Sequence, residues 1–497
     1  MIRLTKVALA LLLFGTNVLT QAAPLNLLFI SVDDMSCDSV GVYGCRLNGT
    51  TPHIDRLAAG GLRFEYAHVV VGNCMPGRNA MFSGLYPHNN HVEGFYQIKE
   101  PEYPVLCDLM KSGGYFTAIR GKVAHSTPYT PYAWDLVLDG KGKNKRHNKD
   151  IESYYTSTKE GIAASQKAGK PFCLLINISD PHKPFYGVTS KGVPIDDPYK
   201  PSRIFTADEV PVPGFLPDTP KIREELAYYY SSVRRADDAV GKVIQALQES
   251  GQIDDTVIMF LSDHGMPLPF VKTAVYHHST RTPWIIKWPG VTKPNSVDRH
   301  HMISAIDLLP TLLDITGIRH PENLDGRSFL PLIRGGRRSG WDMIFKEYNE
   351  NSGAGRHPMR SVQTKRFSYI FNPWSDGRRK FKTATTSTAS YRELKRLAQT
   401  DAGIAERLRV FDLRDREEFY DYQNDPDALY NLIDHPDHQA EIERLRDALG
   451  HWMMRTGDPL SAVFQMRHNE DVVQRYMARV EHEAQERRRQ KRREQKL

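Results

Sequence analysis

The chain has 497 residues, of which 40% are hydrophobic and 25% are charged, a composition typical of a folded protein large enough for two domains. Its net charge of +7 comes from the two ends: the segment from Glu486 to Leu497 holds seven Lys or Arg and two Glu, and Arg3 and Lys6 supply the other +2. Because the body is near neutral, overall charge gives no argument for binding nucleic acid or a polyanion.

The first 23 residues have the pattern of a signal peptide. Basic Arg3 and Lys6 precede an apolar run at 7–14, and the small residues Ala22 and Ala23 close the segment. The apolar run is too short for a comfortable membrane span. We therefore expect an exported protein, located in the periplasm, outside the cell or in a lumen, with no stable membrane span. An N-terminal anchor that stays in the membrane is the alternative.

Buried strands alternate with helices through the first two thirds of the chain. Short continuous apolar runs predict strands at 25–32, 115–120, 172–179, 256–261 and 283–287. Helices are predicted at 52–59, 103–112, 221–248 and 303–316, the third having the clearest apolar spacing, and 184–220 is predicted to be loop. This alternation predicts an α/β fold, a mostly parallel sheet flanked by helices.

The pattern changes after about residue 340. Short antiparallel strands are predicted at 343–348, 361–363, 366–371 and 418–422, followed by a helix at 437–455, while the basic segment 376–409 is expected to be an irregular, mobile insertion. We therefore predict four parts: a signal peptide (1–23), an N-terminal catalytic domain (24–342), a smaller C-terminal α+β domain (343–475) with a short antiparallel sheet, and a basic, solvated tail (476–497).

Polar side chains follow four of the predicted strands where each strand ends: Asp33 and Asp34, Lys122 and His125, His182, and Asp263 and His264. The carboxyl ends of parallel strands meet at one edge, where open α/β sheets bind ligands. Three carboxylates and an imidazole suit a hard divalent cation such as Ca²⁺. Each motif alone is more often a turn or a cap, but their joint placement favours a metal site.

Cys74 begins a predicted helix. Pro76 suits its first turn, Gly84 is a plausible end, and Arg78 follows Cys74 by one helical turn. Unpaired N–H groups and the positive end of the helix dipole would make this terminus an anion site. The alternative is a half-buried structural cysteine. The remaining four cysteines are Cys37, Cys45, Cys107 and Cys173, and their spacing does not determine any pairing.

Residues 74–78, Cys-Met-Pro-Gly-Arg, resemble the Cys-x-Pro-x-Arg signature of the type I sulfatases, with Gly77 in place of the usual serine. Other strings follow in the family's order: Gly-Lys-x-x-His at 121–125, Asp-Pro-His at 180–182, Ser-Asp-His-Gly at 262–265, and then Lys272. The resemblance covers nearly all of 25–455. It implies the fold of alkaline phosphatase, with a small C-terminal domain built on a four-stranded sheet.

The resemblance also implies a chemistry. A maturation enzyme oxidises Cys74 to formylglycine (3-oxoalanine), and the hydrated aldehyde attacks sulfur with help from Arg78. One divalent metal, Ca²⁺ in preference to Mg²⁺, is held by Asp33, Asp34, the group at Cys74, Asp263 and His264. Lys122 and Lys272 neutralise the sulfate oxygens. His182 protonates the leaving atom and His125 acts as the base that regenerates the aldehyde.

Within the family, the stretches 212–220, 262–270 and 358–363 resemble the sulfamidase (heparan N-sulfatase) branch, whereas His264 and the Lys122–His125 spacing resemble iduronate-2-sulfatases. The implied function is hydrolysis of sulfate from sulfated carbohydrate, glycosaminoglycan-like or other polysaccharide fragments, with N-sulfoglucosamine as one candidate. An O-sulfatase acting on uronic acid or galactan sulfate esters is the alternative. There are two further alternatives. One is a phosphodiesterase or phosphonate hydrolase of the same superfamily, and the other is an inactive, glycan-binding relative.

Overall fold

The computed structural model describes residues 25–142, 145–352 and 355–494, so the predicted signal peptide (1–23) lies outside the described residues. Eight strands form the larger sheet: β1 (Asn26–Asp33), β2 (Leu62–His68), β3 (Phe116–Arg120), β4 (Leu136–Val137), β5 (Phe172–Pro181), β6 (Thr256–Ser262), β7 (Trp284–Lys287) and β8 (Ser296–Ser304). Their order is β4-β3-β5-β1-β6-β7-β2-β8. Only β7 runs against its neighbours, so the predicted mostly parallel sheet is confirmed.

Helices pack on both faces of this sheet. In β1, Leu28, Ile30 and Val32 belong to one buried cluster, whereas Leu27 and Phe29 belong to another, as the alternation of side chains along a strand requires. The helices in this part are α1 (Pro52–Ala59), α2 (Cys74–Ser83), α3 (Pro87–Asn90), α4 (Leu106–Ser112), α5 (Val123–Ser126), α6 (Ile151–Ala168), α7 (Pro220–Glu249), α8 (His277–Thr280), α9 (Leu308–Thr316) and α10 (Leu330–Ile333). The two clusters are the cores on either side of the sheet.

The smaller sheet has four antiparallel strands in the order β12-β11-β10-β9, with β9 (Met343–Glu350), β10 (Arg356–Thr364), β11 (Phe367–Phe371) and β12 (Glu417–Asp421). Its helices are α11 (Ala389–Leu397), α12 (Ala402–Leu413), α13 (Gln439–Thr456), α14 (Ser461–Gln465) and α15 (Glu470–Glu494). Helix α13 buries Ile442, Leu445, Leu449 and Trp452. The small antiparallel sheet with a packed helix was predicted from the sequence.

The prediction of an irregular, mobile insertion at 376–409 is wrong. The segment contributes α11 and most of α12, and each helix has an N-cap: Thr388 accepts the Tyr391 N–H at 3.1 Å, and Asp401 accepts the Ile404 N–H at 3.0 Å. Leu394 is buried in the core. The helices were not recognised in the sequence because the segment has many basic residues and few apolar ones. The charges lie on the exposed faces, while single apolar residues anchor each helix.

Several other elements differ from the prediction. The expected helix at 303–316 is divided, since β8 continues to Ser304 and α9 starts at Leu308. The strands β2, β4 and β8 and the helix α6 carried no clear apolar signal. Helix α15 runs through the expected boundary at 475, and Met477 and Val480 are buried, so the start of the predicted tail packs against the body.

Among the described residues, no helix combines the length and apolar character that a membrane span requires.

Candidate active site

The four central strands β3, β5, β1 and β6 are neighbours in the sheet. Their carboxyl ends carry the acidic and basic residues that the sequence placed at strand ends. Asp34, directly after β1, and Lys122, shortly after β3, both have left-handed backbone angles, with φ of 71° and 51°. Such angles are strained for residues with a side chain. The chain therefore turns sharply at this edge, and both side chains are directed into the site, as their contacts show.

Helix α2 brings Cys74 to the same edge. The Asn73 side chain caps the helix by accepting the Cys74 N–H at 3.1 Å, and Gly84 ends it in the left-handed conformation with φ of 67°. All ten residues of α2 are buried. The helix predicted to begin at Cys74 is therefore present. All five cysteines of the chain are free thiols.

The Cys74 thiol lies among groups of both charges. Its Sγ is 3.4 Å from Asp33 Oδ1, 3.2 Å from His264 Nε2 and 3.5 Å from Lys272 Nζ. Burial, followed by the nearby Asp33 carboxylate, raises the pKa of Cys74 well above its ordinary value. The unmodified residue is therefore a neutral thiol at physiological pH and a poor nucleophile as it stands.

Three buried ion pairs surround Cys74. The Arg78 guanidinium contacts Asp263 Oδ2 through Nε at 3.1 Å and Nη2 at 3.0 Å. Lys272 Nζ lies 2.7 and 2.9 Å from the two oxygens of Asp34, and Lys122 pairs with Asp33. Three cations thus balance three carboxylates in a largely buried site.

These charges decide the protonation of the carboxylates. Burial alone would raise the pKa of Asp33, but Lys122 and other nearby cations outweigh it and hold that pKa well below its ordinary value. The same balance, led by burial against Lys272, lowers the pKa of Asp34. Burial and the Asp33 charge raise the pKa of Asp263. Asp33 and Asp34 are therefore ionised and available as ligands at neutral pH.

The donor atoms fit a hard divalent cation. One ligand atom from each of Asp33, Cys74, Asp263 and His264 lies within 4.8 Å of the others, and His264 Nε2 is 3.1 Å from Asp34 Oδ1. The His264 Nδ1–H donates to the Gly265 carbonyl at 2.9 Å, which leaves Nε2 as the ligand atom. Carboxylate oxygens are the donors that Ca²⁺ and Mg²⁺ prefer.

Two histidines line the cavity above Cys74, which has a volume of about 470 Å³. His182 Nδ1 donates to the Lys183 carbonyl at 2.6 Å, so that Nε2 points towards Asp34, 4.0 Å from Oδ2. Nδ1 of His125 is buried and has no hydrogen-bond partner among the described residues. Burial lowers the pKa of His125 to about 3 and that of His182 to about 4, so both rings are neutral at pH 7.

The chain is similar to known sulfatases over most of its length. The family model named Sulfatase matches residues 25–318, and a second model, the C-terminal part of N-sulphoglucosamine sulphohydrolase, matches 263–376. The N-sulphoglucosamine sulphohydrolase of Homo sapiens is 30% identical over 479 residues, which are 89% of this chain and 92% of the relative. The chain belongs to the sulfatase family. It is therefore a hydrolase.

Two further comparisons place this sulfatase among its relatives. An ulvan-active sulfatase of Formosa agariphila is 26% identical over 452 residues, 88% of this chain and 81% of the relative. A structure solved in complex with its substrate D-glucosamine-2-N,6-O-disulfate superposes with a TM-score of 0.66 and 17% identity, covering 88% of this chain and 99% of that chain. The last comparison shows that the fold is shared. Family membership implies a divalent metal and a formylglycine, and the cluster around Cys74 offers a place for both.

Some residues of the site were not predicted. Ser31 and Asn177, inside β1 and β5, each lie 2.8 Å from Arg78 Nη1. A polar residue in an otherwise apolar buried strand was the signal that could have revealed them. Lys149, in the loop before α6, donates to Asp180 Oδ1 at 2.7 Å and to the His182 carbonyl at 2.6 Å. No sequence pattern connected Lys149 with His182, because only the folded chain brings them together.

Proposed function

We propose that this sulfatase hydrolyses sulfate from sulfated carbohydrate, with the N-sulfate of glucosamine as the favoured substrate. The observation that carries the proposal is the position of Cys74, at a helix start in contact with Asp33, His264 and Lys272. The name of the human relative supports an N-sulfated glucosamine, and the sulfamidase-like stretches point the same way. The alternative is an O-sulfatase on uronic acid or galactan esters, which the iduronate-2-sulfatase-like His264 and the ulvan-active relative favour.

Asp33, Asp34, Asp263 and His264 would hold the divalent cation, with the group at position 74 as a further ligand. When bound, the cation supplies Lewis-acid stabilisation of negative charge on oxygen. Because Arg78, Lys122 and Lys272 already balance the three carboxylates, a doubly charged cation leaves the site net positive. That balance suits an anionic sulfate group. We favour Ca²⁺ over Mg²⁺, because a set of three carboxylates suits the higher coordination number of Ca²⁺.

Formylglycine derived from Cys74 supplies the nucleophilic oxygen when its aldehyde is hydrated. The residues of this chain do the rest. Arg78 holds its charge next to position 74 through its pairing with Asp263. Lys122 and Lys272 carry ammonium groups into the same space and are placed to donate hydrogen bonds to sulfate oxygens.

The two histidines have different assignments. Nε2 of His182 faces the cavity and, once protonated, gives its proton to the leaving oxygen or nitrogen. His125 is neutral, its Nδ1 has no partner within the described part of the chain, and it accepts the proton that must be removed for the aldehyde to return. Lys149 is a positioning residue, because it holds the His182 backbone and not the substrate.

Export, maturation and domain division belong to the same proposal. Residues 1–23 are proposed to direct the chain to the periplasm, the exterior or a lumen, and a formylglycine-generating enzyme is the proposed maturation partner. The catalytic domain is proposed to end near residue 342, where the small antiparallel sheet begins. Fragments of sulfated polysaccharide would then be the substrates that the enzyme meets.

A panel of sulfated sugars tests the proposal. Purified protein from a host that makes formylglycine is incubated with N-sulfoglucosamine, glucosamine-6-sulfate, and 2-O-sulfated uronate and galactan fragments, and free sulfate is measured. The proposal expects the largest kcat/KM with N-sulfoglucosamine. Preference for an O-sulfate supports the alternative, and hydrolysis of phosphodiesters to phosphomonoesters without release of any sulfate would reject both.

A further inference from the structure

A second cavity adjoins the catalytic cavity and takes no part in the chemistry proposed above. It has a volume of about 220 Å³, and its charged lining residues are Lys183, Lys191, Lys221, Glu224, Glu225 and Arg392. We call it the basic side cavity. Ser387 lines both cavities, so the two spaces share a wall.

The shared wall is thin. Lys183, which lines the basic side cavity, directly follows His182, which lines the catalytic cavity. Across the wall, Lys183 Nζ donates to Ser387 Oγ at 3.4 Å, a long hydrogen bond between two partly exposed side chains. A substituent of a sugar bound in the catalytic cavity would have to displace this contact to enter the basic side cavity.

The two carboxylates of the basic side cavity are already used. Glu225 accepts the N–H groups of Ala389 and Ser390 at 2.8 and 2.7 Å and the Ser390 hydroxyl at 2.6 Å, so it caps the start of helix α11. Glu224 pairs with Lys221 at 2.6 Å. Glu224 is thus occupied by Lys221, and Glu225 offsets part of the charge of Lys183, one of the three remaining cations.

Those three cations are Lys183, Lys191 and Arg392, and none of them forms an ion pair with another described residue. Arg392 donates through Nη1 to the Ser387 carbonyl at 2.8 Å, a neutral acceptor. Burial lowers the pKa of Lys183 and outweighs the nearby Glu225 and Asp34 carboxylates, which raise it, while the charges of Lys272 and Arg392 lower it further. Like charges gathered around one small cavity repel each other, and a bound anion relieves that repulsion.

We infer that the basic side cavity binds a second anionic group of the substrate, a sulfate ester or a carboxylate, while the sulfate to be hydrolysed lies over Cys74. The inference rests on the proposed function, because it assumes that a sulfated sugar occupies the catalytic cavity. It makes this sulfatase selective for sugars that carry two anionic groups. Lys191 and Arg392 are then specificity residues that touch the substrate far from the reacting sulfur.

The test measures binding without turnover. In the full-length Cys74→Ala protein, calorimetry gives Kd for N-sulfoglucosamine, for N-sulfoglucosamine-6-sulfate and for an N-sulfoglucosamine disaccharide with a uronate. The same three ligands are then titrated into Cys74→Ala proteins that also carry Lys191→Gln with Arg392→Gln. Lys395→Gln is the matched control, because Lys395 is exposed on the same helix α11 but does not line the cavity.

We expect one of the two doubly charged ligands to bind about tenfold more tightly than N-sulfoglucosamine, as one extra charge-assisted contact allows. The Lys191→Gln/Arg392→Gln protein should lose this gain, and Lys395→Gln should keep it. The ligand that shows the gain identifies the second group as sulfate or carboxylate. Equal affinity for all three ligands, or a gain that survives both substitutions, overturns the inference. Failure of the proposed function appears separately, as no sulfate release by the unsubstituted enzyme.

Discussion

Arg78 and Asp263 form an ion pair that is fully buried, with Arg78 Nη2 3.0 Å from Asp263 Oδ2 and both side chains 0% exposed. Arg78 lies one turn along the helix that begins with Cys74, and Asp263 follows strand β6 directly. The pair therefore fixes the position of Cys74 relative to the carboxylates at the sheet edge. The remaining guanidinium contacts, to Ser31 and Asn177, extend the same link to β1 and β5.

Replacing Arg78 by lysine should therefore damage both the fold and the site. An ammonium group cannot reproduce the contacts to Asp263, Ser31 and Asn177 at once, and a buried carboxylate would lose its partner. We expect the free energy of unfolding in urea to fall by about 3–5 kcal/mol. The control is Arg444→Lys, since Arg444 pairs with Glu441 on an exposed helix face and should cost less than about 1 kcal/mol. Equal losses in the two variants would contradict the assigned role.

Substitution of Cys74 separates catalysis from folding. Cys74→Ala should lower kcat for sulfate release by at least about a thousandfold, because the nucleophile is lost, while circular dichroism and the unfolding midpoint change little. Cys74→Ser should also fail to turn over repeatedly, since a serine has no aldehyde to regenerate. Multiple turnovers by the serine variant, counted as sulfate released per enzyme, would remove formylglycine from the account.

Removal of the metal should lower stability as well as activity. A cation that binds only the folded state adds stability, so treatment with EGTA should lower Tm by several degrees, on the order of 5 °C. Adding back Ca²⁺ should restore Tm and activity better than Mg²⁺ at equal concentration. His264→Gln removes one proposed ligand and should reduce the shift that EGTA causes. A Tm unaffected by EGTA and also by EDTA, which binds Mg²⁺ as well as Ca²⁺, would show that the cluster holds no metal.

We expect kcat/KM to be highest at acid pH and to decrease as the pH rises towards neutrality. With its pKa lowered to about 4, His182 carries the proton it must donate in a declining fraction of molecules as pH rises above that value, whereas His125, at about 3, remains a base throughout. We expect kcat/KM to be higher near about pH 5 than near about pH 7. His182→Gln should flatten this decline, and a profile that rises from pH 5 to 7 in the unsubstituted enzyme would contradict the assignment.

The same histidines set an opposite trend for folding. Their pKa values in the folded protein lie below the ordinary value of 6.5, so the unfolded chain binds protons more readily. The stability contributed by keeping them neutral is present above pH 6.5 and is lost as pH falls towards 3–4. Activity at acid pH is therefore to be compared with Tm measured at the same pH.

The sequence identified the strand-end residues because apolar runs mark where buried strands stop. Such runs precede Asp33, Lys122, His182 and Asp263. A parallel sheet brings these positions to one edge, regardless of the conformation of the connecting loops. The edge strand β8 was missed, since it begins Ser-Val-Asp-Arg-His-His and shows no apolar run. Because β8 is an edge strand, its first five residues are not buried and need not be apolar.

Residues that reach the site through packing could not be predicted. The segment 383–387, which contributes part of the catalytic cavity, lies in the stretch expected to be irregular. Lys149 contacts His182 across a loop, and Ser387 contacts Lys183 over a separation of 204 residues. No local pattern records such contacts, because they depend on how segments distant in the sequence pack together in the folded chain.

The most direct test of the proposed function is whether residue 74 is converted to formylglycine. Mass spectrometry of the tryptic peptide 64–78, taken from protein that releases sulfate, should show a mass about 18 Da below that of the unmodified cysteine peptide, the change expected when a thiol and hydrogen give way to an aldehyde oxygen. An active preparation whose peptide carries only unmodified Cys74 would contradict the account, whatever the geometry around it.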